Sequence, residues 1–289
     1  MSLARHGDVE IYYDTFGNPA DEALLLISGL GSQCINYRDA FCHQLSAMGY
    51  FVIRFDNRDV GLSTKFDDVT VGAASSSKTA ATAAANYRLS DMADDGLAVL
   101  DELGIERAHV VGASMGGMIA QTMAIEHHER LRTLTSIMST TGDLDVGWPS
   151  SDALRLFYSR APRDRDDFVA LRLAAARTWG SPDCFNEDEL TAHALELFER
   201  NFCPKGVARH MAAIVRSGSR SAALTSVTIP TLVLHGDADK LIDPSGGRRT
   251  AAMIPGARFI LIEGMGHDFA PKYWNRLADL MSEHFVLAR

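Results

Sequence analysis

Three stretches lying far apart in this 289-residue chain carry side chains that could share one piece of chemistry. The first is Gly112-Ala113-Ser114-Met115-Gly116-Gly117, a G-x-S-x-G pattern. It stands directly after the strand-like Ala108-His109-Val110-Val111 and directly before a helix-like run from Met118 to Glu126. A serine on a sharp strand-to-helix turn is held in a strained backbone conformation, with its hydroxyl pushed into a pocket. Gly112 and Gly116 suit a place where neighbouring chain comes too close for a Cβ. The helix that follows aims its N-terminal N–H groups and positive dipole end at developing negative charge. A bare G-x-S-x-G arises easily by chance in a chain with 23 glycines. Its strand-turn-helix setting separates it from an ordinary serine in a glycine-rich turn.

A serine hydroxyl is a poor nucleophile near neutral pH. It needs an imidazole to take its proton and a carboxylate to orient that imidazole. With such an elbow the chain order is Ser, then Asp or Glu, then His. Downstream of Ser114 stand His127, His128, His193, His210, His235, His267 and His284. His127 and His128 lie at the far end of the helix that starts at the serine, out of reach at about 1.5 Å rise per residue. His284 falls in the last helix, where packing suffices to explain it. His267 lies in Gly264-Met265-Gly266-His267-Asp268, a glycine-rich loop after the strand Phe259 to Ile262, and is the chosen base. The acid comes from Gly236-Asp237-Ala238-Asp239 and the following Asp243-Pro244, after the strand Thr231 to Leu234. Asp237 could cap the glycine turn, and Asp243 fits an N-cap for the next helix. Asp239, between them, is the chosen acid. His235 fits packing at the strand end.

The first core strand runs into Ser28-Gly29-Leu30-Gly31-Ser32. A turn of this kind can offer a backbone N–H to a substrate oxygen, and the residue after the nucleophile, Met115, offers a second.

The elements that must position these groups follow from short apolar runs: 24–27, 51–55, 109–111, 134–138, 231–234 and 259–262. Most lack polar/apolar alternation, as expected of parallel strands covered on both faces by helices. Between them, Leu89 to Leu103 repeats Met92, Gly96, Val99, Leu100 and Leu103 at helical spacing. The alternation predicts a doubly wound α/β fold with a mostly parallel central sheet. Val9 to Phe16 is expected as an extra strand at the start, antiparallel to the rest. From 143 to 225 the alternation lapses into helical patterns, Asp166–Thr178 and Glu187–Asn201, with Pro162, Pro182 and Pro204 as breakers. This predicts a helical cap at 143–225 over a core made of 1–142 and 226–289. The cap would lie over the carboxyl ends of the strands, where such sheets bind ligands. Trp148, Phe157, Trp179, Phe185, Phe198 and Phe202 could line an apolar acyl pocket there or pack the cap's own core. The tract Gly72–Ala85, all Gly, Ala, Ser or Thr except Lys78, reads as a surface loop.

The net charge of -9 and the lack of a basic run argue against nucleic acid as a partner. Four cysteines without a C-x-x-C spacing suit scattered thiols in a reducing cytosol. The opening residues lack a signal peptide's apolar stretch, and no tract reaches the length of a bilayer span, so a cytoplasmic protein is expected.

Taken together the sequence resembles the α/β-hydrolase family. The likeness rests on the elbow 112–116, on Gly236-Asp237-Ala238-Asp239 with His267, and on the turn 28–31. It rests also on Asp56-Asn57-Arg58-Asp59-Val60-Gly61-Leu62-Ser63, similar to the family's D-x-R-x-x-G-x-S segment. More narrowly, 55–63 and 109–116 look similar to bacterial carboxylesterases of the aclacinomycin methylesterase type and to actinobacterial lipase-like enzymes. The resemblance implies Ser114 as nucleophile, His267 as base, Asp239 as orienting acid, and the N–H groups of Leu30 and Met115 as an oxyanion hole. Gly29, Gly112 and Gly116 would shape the turns. Ser28-Gly29 replaces the family's common His-Gly, which leaves a backbone role for Leu30 intact. The implied activity is hydrolysis of a small or medium apolar ester, with no metal or organic cofactor. Thioester or phospholipid hydrolysis, perhydrolysis, carbon–carbon cleavage and non-catalytic ligand binding are the alternatives. Dehalogenase and epoxide hydrolase chemistry would require Asp where Ser114 stands.

Overall fold

The computed structural model describes residues 2–66 and 86–288; the tract Gly72–Ala85 lies outside the described residues. The strands are β1 (Ser2–His6), β2 (Val9–Phe16), β3 (Glu22–Ile27), β4 (Tyr50–Phe55), β5 (Ala108–Ala113), β6 (Leu131–Ile137), β7 (Thr231–Gly236) and β8 (Arg258–Ile262). They form one sheet in the order β1-β2-β4-β3-β5-β6-β7-β8. From β4 to β8 every neighbouring pair is parallel, whereas β1 and β2 run antiparallel at one edge. The described helices are α1 (Asp39–Ala47), α2 (Leu89–Glu102), α3 (Met115–Glu126), α4 (Ser151–Phe157), α5 (Arg165–Trp179), α6 (Glu187–Arg200), α7 (Pro204–Ser217), α8 (Ser221–Leu224), α9 (Ser245–Met253) and α10 (Trp274–Phe285).

The apolar runs lack alternation because both faces of the sheet are covered. In β3, Leu25 and Ile27 join the core under α2 and α3, while Leu24 and Leu26 join the one under α1 and α10. β4 splits likewise, with Ile53 and Phe55 to one side and Tyr50 and Val52 to the other. Successive side chains of a strand point to opposite faces, so a strand between two helical layers is mostly apolar on both. Arg54 in β4 is an exception, buried with its guanidinium paired to Asp14 and Asp39.

Three local expectations need correction. β1 precedes the strand expected at Val9; it is short, sits at the edge and pairs only with β2, so Arg5 and His6 interrupt any apolar run. β8 is the opposite edge, and Leu261 is 39% exposed, so this run is not covered on both faces. Pro204 does not merely break a helix but opens α7. Proline suits the first helical position, where its missing N–H would have no partner.

The order places β3 beside β5, although β4 comes between them in sequence. The chain leaves β3 toward one edge of the sheet and leaves β5 toward the other. Loops after such a pair diverge and open a crevice at the carboxyl edge. The turn 28–32 and the Ser114 elbow are those two loops. Helices α4 to α8 lie between β6 and β7 in sequence. They contact the same edge: the Trp179 carbonyl accepts the His267 N–H at 2.6 Å, and Gln33 Nε2 donates to the Leu197 carbonyl at 2.7 Å. Among the described residues no helix is long and apolar enough to cross a membrane.

Candidate active site

The elbow is built by close approach. A Cβ on Gly112 would stand 2.0 Å from the Gly116 carbonyl oxygen, and one on Gly116 would stand 2.0 Å from that of Ile27. Only glycine allows β5, α3 and the end of β3 to meet so tightly. Ser114 at their junction takes φ +55° and ψ -120°, which costs a non-glycine residue about 1–3 kcal/mol. Its backbone is fixed from both sides, the N–H donating to the Ile137 carbonyl at 2.9 Å and the carbonyl accepting from Ser139 Oγ at 2.7 Å.

Strain on the backbone leaves the Ser114 hydroxyl pointing at one partner. Ser114 Oγ lies 3.0 Å from His267 Nε2, and His267 Nδ1 lies 2.7 Å from Asp239 Oδ2. A carboxylate can only accept, so Nδ1 carries the proton and Nε2 presents its lone pair to the serine. The loops carrying His267 and Asp239 are zipped together, since the N–H groups of Asp237 and Ala238 donate to the carbonyls of Ile262 and Met265.

Asp239 is buried, and its carboxylate is fully engaged. Oδ1 accepts the N–H groups of Leu241 and Ile242, both at 2.9 Å. Oδ2 faces His267 and, at 3.3 Å, Nε2 of buried His235. Burial opposes ionisation here, but the charge of His267 and the hydrogen bonds from His235 and His267 outweigh it. They hold the carboxyl well below the usual carboxylate range. His235 therefore does more than pack: the Ile242 carbonyl, 2.8 Å from its Nε2, fixes the proton on that nitrogen, beside Asp239.

The other acids of the segment do different work. Asp237 Oδ1 accepts the Gly264 N–H at 2.7 Å, across the two loops. Pro244 occupies the N-cap position of α9 in place of the expected Asp243, whose Oδ1 accepts the Ser245 N–H from one residue further out. His127 reaches Asp94, and His284 is buried with Nε2 3.2 Å from the Leu134 carbonyl.

At the end of β3, Gly29 packs beside the serine, a Cβ there lying 3.2 Å from Ser114 Cβ. The N–H groups of Leu30 and Met115 have no acceptor among the described residues. That of Met115 opens α3, where the helix dipole is positive. Among the described residues no group of three or more His, Cys, Asp or Glu side chains could hold a metal ion.

The sequence reading did not foresee the side chains that hold these loops in place. Asp268 accepts the Ser181 N–H and hydroxyl at 2.8 and 2.6 Å, and Ser181 Oγ accepts the Gly266 N–H. These bonds, with the Trp179 carbonyl, clamp the His267 loop from the end of α5. Gln33 donates to the carbonyls of Leu197 and Asn201, and Arg200 donates to Gln33 and pairs with buried Asp56 at 2.7 Å. Asp59, beside Asp56, is gripped by both arms of Arg209 at 2.8 and 2.6 Å and by the Tyr87 hydroxyl at 2.7 Å. Asp56-Asn57-Arg58-Asp59 is thus a buried anchoring strip rather than a reacting one. The signal for α7 was Pro204 followed by Val207, His210, Ala213 and Ile214 at helical spacing. The aromatics divide: Phe198 and Phe202 pack with Phe168 inside the helical segment, whereas Trp148 is 59% exposed.

Residues 22–270 match the family model described as alpha/beta hydrolase fold. The chain belongs to the α/β-hydrolase fold family. Among its relatives is rhodomycin D methylesterase DnrP of Streptomyces peucetius, 32% identical over 288 residues, covering 92% of this chain and 91% of the relative. Rhodomycin D methylesterase DauP of Streptomyces sp. strain C5 is 31% identical over 283 residues, with 90% and 89% covered. Among solved structures, the enol-lactonase from Burkholderia xenovorans superposes with a TM-score of 0.76 at 21% identity, covering 99% of this chain and 100% of the other. That last likeness concerns the fold alone. Membership accounts for the order of the sheet and for the place of the elbow between β5 and α3.

Proposed function

We propose that this α/β hydrolase is a serine carboxylic-ester hydrolase working through an acyl-enzyme on a small or medium apolar ester. The observation that carries the reading is the unbroken hydrogen-bond chain from Ser114 Oγ through both nitrogens of His267 to Asp239. In this reading Ser114 attacks the ester carbonyl while His267 Nε2 takes its proton, and Asp239 stabilises the imidazolium that forms. The tetrahedral oxyanion rests on the N–H groups of Leu30 and Met115. His267 then protonates the departing alcohol, the acyl group remains on Ser114, and a water activated by the same imidazole releases the acid. Residues 143–225 act as the cap over this site, and 1–142 with 226–289 as the core.

The full-length likeness to two enzymes named as methylesterases supports an ester as substrate and directs attention to methyl esters of bulky acids. A panel of acyl esters of graded chain length, with one methyl ester of a bulky polycyclic acid, tests the substrate class. Ser114→Ala is expected to lose roughly 10⁴- to 10⁶-fold in kcat. It should also lose covalent labelling by a fluorophosphonate probe. Ester turnover near the wild-type rate in Ser114→Ala would reject the mechanism.

A further inference from the structure

His210 stands on α7, outside the Ser114–His267–Asp239 chain, yet it touches the turn that carries Leu30. Its Nδ1 lies 3.1 Å from the Gly31 N and its Nε2 lies 2.7 Å from the Arg58 carbonyl oxygen. A carbonyl only accepts, so the proton sits on Nε2, and Nδ1 accepts the Gly31 N–H. Val207, one turn earlier on the same face of α7, covers the same glycine, whose Cβ would stand 2.7 Å from Val207 Cγ2. Gly31 takes φ +62°, so both the contact and the backbone require glycine at this point.

The imidazole is fully buried. Around it stand Asp59, already paired with Arg209, then Arg58, already paired with Asp95, and the edge of the Tyr87 ring. Burial lowers its pKa, which favours the neutral form that this bonding pattern needs. The Gly31 N–H is thereby occupied. The Leu30 N–H, one peptide earlier, is left without an acceptor among the described residues.

We propose that His210 is a positioning residue for the oxyanion hole, holding the Gly31 N–H so that the preceding Leu30 N–H aims at the reacting oxygen. The proposal rests on the ester-hydrolase reading above. It makes the helical segment part of the machinery that stabilises the transition state, through one neutral imidazole.

Two substitutions separate the bonds. Asparagine places an acceptor where Nδ1 stands and keeps the Gly31 bond. Glutamine places a donor where Nε2 stands and keeps only the Arg58 bond. His210→Gln is expected to lose about 10- to 100-fold in kcat with KM nearly unchanged, less than removal of a whole oxyanion donor costs. His210→Asn should recover most of that loss. Equal kcat in the two variants, or a loss confined to thermal stability, would overturn the assignment. Should neither variant fold, nitrogen NMR of the wild-type protein decides. Binding of a boronic acid to Ser114 should shift the Gly31 amide and His210 Nδ1 resonances together, and a His210 resonance that stays put would overturn the proposal. Failure of the underlying reading looks different: the wild-type protein would neither turn over esters nor label at Ser114.

Discussion

The elbow at Ser114 and the turn at Leu30 pack side by side, with Gly29 against Ser114, but are held by opposite means. The elbow is held by the core itself: Gly112 and Gly116 let three chain segments touch, and the Ile137 carbonyl and Ser139 hydroxyl fix the serine backbone. Every contact there is short, and most involve backbone. The turn, by contrast, is held by side chains reaching across from α6 and α7, namely His210 on Gly31 and Arg200 on Gln33, with Val207 packed over it. The position of Ser114 is therefore a property of the sheet, whereas that of the Leu30 turn is a property of the contact between sheet and helical segment. Under the proposed mechanism, a change in that segment would alter transition-state stabilisation without moving the serine.

Three measurements sharpen or break this contrast. The largest effect is expected in the relay built on the elbow. Under the proposed mechanism, Asp239→Asn keeps the shape but removes the charge that would stabilise the imidazolium and favours the wrong tautomer of His267. A loss of roughly 10⁴-fold in kcat is expected, with a native circular dichroism spectrum. A loss below tenfold would show that Asp239 is not the orienting acid.

Next comes the joint between the two regions. Arg209→Ala leaves the Asp59 carboxylate buried without its bidentate partner, and breaking such a pair costs about 3–5 kcal/mol. Denaturant unfolding should register that loss. An unchanged midpoint would mean that the buried pair does not fasten α7 to the core.

The smallest effect is expected at the stem of the helical segment. Asp143, just after β6, receives Ser219, Ser221 and Arg249 and so joins the beginning of the segment to its end and to α9. Burial works against its ionisation, but the hydrogen bonds from Ser219, Ser221 and Arg249 outweigh it and bring the carboxyl down from 3.8 to about 2. The folded pKa is depressed, so the stabilisation is complete above about pH 4 and disappears as pH falls through about 2. Asp143→Asn should therefore be less stable than wild type at neutral pH, and the gap should close across that interval. A gap independent of pH would assign the effect to shape rather than charge.

Much of the frame was legible in the amino-acid sequence because it rests on local patterns. Runs that lack polar/apolar alternation imply strands covered on both faces, and 24–27, 51–55 and 231–234 lie inside β3, β4 and β7. The edge strand Ser2–His6 escaped this logic, because Arg5 and His6 leave it no continuous apolar run, whereas the opposite edge β8 keeps the run 259–262. Val207 and His210 lie at helical spacing after Pro204, but nothing in that spacing says what they face.

By itself the chain determined the kinds of chemistry available, the alternation of elements and the close approach that only Gly112 and Gly116 permit. These depend on residues next to one another or one helical turn apart. Tertiary structure alone decided that His267 and Asp239 meet Ser114, that His235 supports the carboxylate, and that His210 holds the turn after β3. Apart from His235, four residues before Asp239, each of those meetings joins segments 28 or more residues apart. Their geometry is set by strand order and by which helix covers which loop, and no local pattern of side chains encodes that.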